Sequence, residues 1–301
     1  MFSSATPWHG VHVATALPFH DDLSVDYDAF AEHVRFLAAG GCDGVAPNGS
    51  LGEYQTLTPE ERARVVETAV EAAPDGFGVM PGVAAYGSME ACRWAEQAAE
   101  AGATSLLLLP PNTFRAEPQA VVAHYREVAK VGLPVVAYNN PFDTKVDLTP
   151  ELLAELYQEG TIVGVKEFSS DVRRAYQISE LAAGLDLLIG ADDVLVELGL
   201  AGATGWIAGY PNMVPESTVE LYRLATSGDP ADLARALPMY RDLHPLLRWD
   251  SKVEFVQSIK LSMDIAGLKG GPCRPPRLPL APKLVERITA DTEAVLSKGY
   301  K

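Results

Sequence analysis

In the stretch IVGVKEFSSD (residues 162–171) a lysine closes an apolar, largely β-branched run and stands directly before an acid and a cluster of small polar residues. Taken alone, such a lysine is a surface residue just past a strand, or a buried partner for Glu167. Its neighbours argue otherwise: Ile162, Val163 and Val165 mark a central strand, where loss of water disfavours the ammonium form of Lys166 and lowers its pKa. A neutral amine is a nucleophile for carbonyls, so the chemistry to expect is Schiff-base formation. Tyr138 ends another apolar run, VVAYNNP; by itself it would pack its ring and expose its hydroxyl, but beside Lys166 its phenol would shuttle protons at the reacting carbon. The segment NGSLGE (48–53) reads as a tight turn, or as a cradle in which backbone N–H groups at Gly49, Ser50 and Leu51 hold a carboxylate.

These residues need a scaffold that brings strand ends together. Helical patterns that stop at a glycine and feed a short apolar strand recur at Gly41, Gly76, Gly102, Gly132, Gly160, Gly184 and Gly202. With the opening run VHVATALPF, the strands fall near 11–19, 44–48, 77–84, 105–110, 134–140, 162–167, 185–190 and 203–209. Strands apolar almost throughout belong to a parallel sheet covered on both faces. The expected fold is therefore α/β, a (β/α)8 TIM barrel, in preference to a doubly wound sheet: no G-x-G-x-x-G follows the first strand. A barrel sets the ends of strands five and six side by side, which brings Tyr138 to Lys166. Residues 1–228 are expected to form the barrel and 229–301 a C-terminal helical extension, with helices near 215–227, 230–246, 250–266 and 282–298.

The bulk chemistry narrows the function classes. The chain has 301 residues, 48% hydrophobic and 21% charged, with a formal net charge of −16 and no basic stripe, so nucleic acid and anionic membrane surfaces are disfavoured as partners. No apolar run approaches a membrane span of about 18 residues, and the N-terminus has no signal-peptide pattern; a soluble, cytosolic protein is expected. Cys42, Cys92 and Cys273 lack any C-x-x-C pairing and are read as buried small hydrophobes. The six histidines form no compact metal pattern, so no metal is expected. Asp192 and Asp193, and Asp171, are read as helix caps, and Trp249-Asp250-Ser251 as the opening of a helix. Thr58, Pro59 and Glu61 read as a helix start.

Together NGSLGE, YNNP and VGVKE resemble the G-[ST]-x-G-E, Y-N-x-P and G-x-K-E signatures of the dihydrodipicolinate synthase and N-acetylneuraminate lyase family. The resemblance runs over nearly the whole chain. It implies a metal-independent class I enzyme without a cofactor, commonly a homotetramer, that binds pyruvate or another 2-keto acid as an imine. It makes Lys166 the imine lysine and Tyr138 the proton-transfer residue. Ser50 and Leu51 would hold the carboxylate, and Gly190 and Gly209 would border the pocket. Two departures stand out. Asp143 occupies the place of an arginine that in the synthases holds the second substrate's carboxylate, and Asn112 stands where they carry a second tyrosine. With Asn140, these two residues shape specificity, and Ser169 is placed to touch substrate.

GSLGE, the KE-x-S-x-D-[IV]-R-R pattern from Lys166 to Arg174, GWIAG (205–209) and VQSIKL (256–261) resemble more closely the branch that deaminates hydroxyproline-derived pyrroline carboxylates. For that branch the implied reaction converts 1-pyrroline-4-hydroxy-2-carboxylate to 2,5-dioxopentanoate and ammonia. A 2-keto-3-deoxy sugar-acid dehydratase is the runner-up, a pyruvate-dependent aldolase the third reading. A non-enzymatic sensor of small acids is the alternative of a different class, and the presence of both Lys166 and Tyr138 argues against it.

Overall fold

The chain alternates apolar runs too short for helices with longer amphipathic runs, and the fold follows that alternation. The computed structural model describes residues 6–111 and 114–301. The strands are β1 (Gly10–Ala14), β2 (Gly44–Ala46), β3 (Gly78–Val79), β4 (Leu106–Leu108), β5 (Val135–Asn139), β6 (Gly164–Glu167), β7 (Asp186–Ile189) and β8 (Gly205–Ala208). The helices that follow them in turn are α1 (Tyr27–Ala39), α2 (Pro59–Ala72), α3 (Ser88–Ala101), α4 (Pro118–Ala129), α5 (Pro141–Thr144), α6 (Pro150–Gln158), α7 (Arg173–Leu181), α8 (Leu195–Leu200) and α9 (Pro215–Thr226). Three more, α10 (Pro230–Leu247), α11 (Phe255–Ile265) and α12 (Pro282–Leu296), complete the chain.

Local chemistry sets the helix ends. Before α2 the Thr58 hydroxyl accepts from the Glu61 N–H, the Glu61 carboxylate accepts from the Thr58 N–H, and Pro59 takes the first turn. Gly41, Gly76, Gly102, Gly132, Gly160 and Gly202 all take positive φ, as their reading as helix stops requires. Gly184 does not, and is small for a different reason: a Cβ there would lie 2.1 Å from the Tyr157 hydroxyl.

The eight strands run parallel in the order β3-β2-β1-β8-β7-β6-β5-β4. The seam between β3 and β4 closes through a bridge from Gly82 to Leu107. There the Leu107 N–H donates to the Pro81 carbonyl and the Val83 N–H to the Leu107 carbonyl, each at 3.0 Å. The architecture is a (β/α)8 barrel with C-terminal helices. β3 is far shorter than the run expected over 77–84, because Pro81 has no N–H to offer the ladder. Strand periodicity divides the core in two. Met80, Leu107, Val136, Leu188 and Ile207 fill the barrel interior, while the alternate residues pack outward on the helices.

The C-terminal helices pack back on the barrel, α10 against α9 and α12, and α11 against α12. The helix expected from residue 250 begins only at Phe255; residues 249–254 are turns that reach the mouth of the barrel. Nearby, Lys260 on α11 pairs with Glu53 of the NGSLGE loop at 3.0 Å, both fully buried. The Arg274 N–H donates to the other Glu53 oxygen at 3.0 Å, and its guanidinium pairs with Glu61 at 2.6 Å. All three cysteines are free, but only Cys42 is buried; Cys92 and Cys273 are half-exposed, because each sits at the edge of its packing layer rather than inside it. Among the described residues no helix is long and apolar enough to cross a membrane.

Candidate active site

β5 and β6 are in register so that Tyr138 stands opposite Lys166 and Asn139 opposite Glu167. Successive side chains on a strand face opposite sides, so the two pairs separate. Asn139 and Glu167 face outward, where Asn139 Nδ2 donates to Glu167 Oε2 at 3.0 Å and the Ser169 N–H to Oε1 at 2.5 Å. Glu167 is therefore not the partner of Lys166. Inside the barrel, Lys166 Nζ sits 4.4 Å from the centre of the Tyr138 ring and 6.0 Å from that of Phe168. Among the described residues Nζ has no hydrogen bond and no direct ion pair. Burial holds the Lys166 pKa below that of an ordinary lysine, against the opposing charges of Asp250 and then Asp192. Burial likewise raises the Tyr138 pKa, with Asp250 adding to it, so the phenol keeps its proton at neutral pH; its oxygen accepts from Asn140 Nδ2 at 3.4 Å.

Both residues line a cavity of about 610 Å³ at the C-terminal ends of the strands. Gly49, Ser50 and Leu51 form one wall, and the Ser50 and Leu51 N–H groups donate to no described residue. The turn that presents them starts at Asn48, which is held in the left-handed region (φ 57°) and donates from Nδ2 to the Arg62 carbonyl at 2.8 Å. Opposite, Asn140 caps α5 by accepting from the Asp143 N–H at 3.2 Å, and its Nδ2 donates to the Asp143 carboxylate at 2.9 Å. Asn140, Asp143 and Gly209 all line the cavity.

Two expected residues stand elsewhere. Gly190 packs on β6, where a Cβ would come within 2.4 Å of the Glu167 carbonyl, and it does not line the cavity. Ser169 is turned into its own loop, its hydroxyl accepting from the Asp171 N–H at 3.3 Å, while Ser170, at φ 61°, lines the cavity instead. The left-handed turn at Ser170 is what exchanges the two. Asn112 lies outside the described residues. From the C-terminal helical segment Asp250, Lys252 and Arg277 also reach the cavity wall.

Three acids have roles that the sequence did not reveal. Asp192 is no helix cap: its carboxylate accepts from Trp206 Nε1 at 3.0 Å, from the Gly209 N–H at 3.0 Å and from the Tyr210 N–H at 2.9 Å, tying β7 to the end of β8. Asp193 likewise turns away from α8 and accepts from the Ser251 hydroxyl at 2.7 Å. Asp171 does act near the start of α7, accepting from the Arg173 N–H at 3.1 Å. Asp250 opens no helix; it sits over Gly209, where a Cβ would be 2.5 Å from its Oδ1, and the Asp192 N–H faces its Oδ2 at 3.5 Å. Burial raises the Asp250 pKa to about 6, with Lys166 opposing, and burial followed by Asp250 raises that of Asp192. A signal for Asp192 lay in its place at the end of a barrel strand; Asp250 had none, since its turn follows no periodic pattern.

Comparison with known proteins agrees with this geometry. Residues 7–295 match the dihydrodipicolinate synthetase family. A 4-hydroxy-tetrahydrodipicolinate synthase from Methanosphaerula palustris is 33% identical over 96% of this chain and 98% of its own. An uncharacterized DapA-like lyase from Rhizobium meliloti is 31% identical over 94% of each. The crystal structure of the dihydrodipicolinate synthase from Aquifex aeolicus superposes with a TM-score of 0.89 at 27% identity, covering 97% of this chain and 98% of the other.

Proposed function

The chain belongs to the dihydrodipicolinate synthetase family, and from that premise we propose that it is a class I lyase in which Lys166 binds a 2-keto acid or cyclic imino acid as an imine. One observation carries this reading: a buried lysine nitrogen with no described hydrogen-bond or ion-pair partner, stacked on a protonated phenol, opens into a cavity that is also lined by Ser50 and Leu51, whose N–H groups donate to no described residue. Burial favours the free amine. The Ser50 and Leu51 N–H groups are suited to the substrate carboxylate, which places the neighbouring carbon toward Lys166. The protonated nitrogen of the imine supplies the electron sink, so neither a metal nor an organic cofactor enters the proposed reaction.

For the substrate we favour 1-pyrroline-4-hydroxy-2-carboxylate. Asp143, fixed by Asn140 on the cavity wall, repels a second carboxylate and suits a hydroxyl or a protonated ring nitrogen. Lys166 adds to the cyclic imine carbon, a C3 proton is removed to form the enamine, and the enamine expels the C4 hydroxyl, with Tyr138 acting as a relay that gives its proton to the leaving hydroxyl as it takes the one from C3. Hydrolysis then releases 2,5-dioxopentanoate and ammonia. The same Asp143 argues against condensation of pyruvate with aspartate semialdehyde, whose carboxylate would meet it. A 2-keto-3-deoxy sugar acid shares the single carboxylate and the β-hydroxyl, and is the second reading. The assembly we propose is a homotetramer in the cytosol, to be measured by light scattering and fractionation.

Borohydride reduction in the presence of pyruvate, followed by intact-mass analysis, tests the imine. An adduct on Lys166 is expected, and its absence with every 2-keto acid tried would favour a sensor of small acids. A product screen over hydroxypyrroline carboxylate, 2-keto-3-deoxy sugar acids, and pyruvate with aspartate semialdehyde tests the substrate. Turnover confined to the last pair would overturn the deaminase reading.

A further inference from the structure

An imine with Lys166 forms only if a proton leaves the lysine ammonium and another reaches the group that departs, the oxygen of a 2-keto acid or the ring nitrogen of a cyclic imine. Tyr138 is poorly suited to the first task, because burial and the nearby Asp250 charge raise its pKa and keep its proton in place. Asp250 stands differently. Its carboxylate lines the cavity, and its charge acts on Lys166 more strongly than that of any other group, yet the two make no direct ion pair among the described residues.

Space for this carboxylate has been kept open. Position 209 must lack a side chain, since a Cβ would come within 2.5 Å of Asp250 Oδ1. The Asp192 N–H faces Oδ2, and Ser251 anchors the turn through Asp193. The groups that face Asp250 are Lys166 from β6, Asp192 and Asp193 after β7, Tyr138 from β5 and Tyr210 after β8.

We infer that Asp250 is a third catalytic group, the carrier of the proton that Lys166 must give up and that the departing group, the oxygen of a 2-keto acid or the ring nitrogen of a cyclic imine, must receive. The inference rests on the imine reading of Lys166 and adds a residue to it. Because the two are not in direct contact, the proton passes from the Lys166 ammonium to the Asp250 carboxylate through a water in the cavity, leaving an amine and a carboxylic acid. The amine forms a bond to the substrate carbonyl carbon, and a proton moves from nitrogen to oxygen to give the neutral carbinolamine. Asp250 then returns its proton to that hydroxyl, the C–O bond breaks, and water leaves. The products are the protonated imine and the original carboxylate, so protons and electrons balance. A carboxyl whose pKa burial lifts to about 6 is suited to both directions of transfer near neutral pH.

The test separates a proton carrier from a mere countercharge by sign. Asp250→Asn removes a negative charge that favours the ammonium, so a countercharge role predicts more free amine and faster trapping. A carrier role predicts slower trapping. With pyruvate and timed borohydride quenching, we expect the Asn variant to reach the wild-type end point about a hundredfold more slowly. Asp250→Ala should be equally slow and be accelerated by added formate, which a structural role would not allow. If the Asn variant does not fold, Asp250→Glu should trap quickly, and formate should still rescue the Ala variant. An Asn variant that traps as fast as wild type, or an Ala variant that formate leaves unchanged, overturns the inference while leaving the imine intact. Absence of any adduct on the wild type removes the imine reading itself.

Discussion

Lys166 and Lys260 are both withdrawn from water, with 6% and 1% of their surface exposed, yet they keep different company. Lys260 Nζ lies 3.0 Å from Glu53 Oε1 and donates to the Pro272 carbonyl at 2.6 Å, so its charge is paired and its donors are used. It also stands over an aromatic ring, Phe19, at 4.6 Å. Lys166 has the ring and the burial but no direct ion pair among the described residues, and the charges of Asp250 and Asp192 act on it without contact. Burial and aromatic contact are thus common to both, and what separates them is the acceptor. A paired buried lysine holds structure together; one without a direct partner, beside open space, is free to react.

The comparison predicts its largest effect on chemistry at Lys166. Lys166→Ala should abolish the borohydride-trapped adduct and reduce turnover to background while the protein still melts cooperatively. Adduct formation or turnover at the wild-type level in that variant would remove Lys166 from the reaction. Tyr138→Phe keeps the ring beneath Nζ and removes only the hydroxyl. It should leave the adduct detectable and lower kcat by about 10² to 10⁴, the range for a lost proton-transfer group. An unchanged kcat would reduce Tyr138 to packing.

Lys260→Met inverts the outcome. It should leave the chemistry of any folded protein intact, but strand the buried Glu53 carboxylate without its countercharge, with the Arg274 N–H bond still in place, destabilising the fold by about 3–5 kcal/mol. The double variant Glu53→Leu/Lys260→Met should recover much of that loss, because it removes the second charge as well. Denaturant midpoints measure both. If the single variant is no less stable than wild type, the clamp between the NGSLGE loop and α11 is not what holds the C-terminal segment down.

This difference between the lysines was only half readable beforehand. Lys166 was accessible because strand periodicity and a parallel neighbour, two local rules, place it and Tyr138 on the same inner face. Glu53 was grouped with a carboxylate cradle, but its αL backbone (φ 54°) turns the side chain away from the cavity toward Lys260, more than 200 residues along the chain (|i−j| = 207). No periodicity carries such a contact. Asp250 escaped for the same reason, since it lies in a turn placed by packing of α10 and α11 rather than by its own sequence. Asp192 was assigned by the usual preference of its residue type, and Ser169 by its nearness to Lys166 along the chain. In each, local backbone geometry overrode the expectation: the strand end turned Asp192 inward, and the positive φ of Ser170 rotated Ser169 out.

The smallest effect expected is on stability as a function of pH. Because burial lowers the Lys166 pKa, the unfolded chain binds more protons than the folded one between that lowered value and the ordinary 10.5. Stability must therefore rise with pH across this window. Below it the penalty for burying the ammonium is present in full, and toward pH 10.5 it is relieved. Each unit of depression corresponds to about 1.4 kcal/mol. Lys166→Met should accordingly be more stable than wild type at neutral pH, and the gap between the two should close as the pH is raised. Melting curves of the pair from neutral to alkaline pH measure this gap. A constant gap would mean that Lys166 binds its proton equally in the folded and unfolded chains, so that its ammonium is buried at no cost, and the contrast with Lys260 would then rest on the missing acceptor alone.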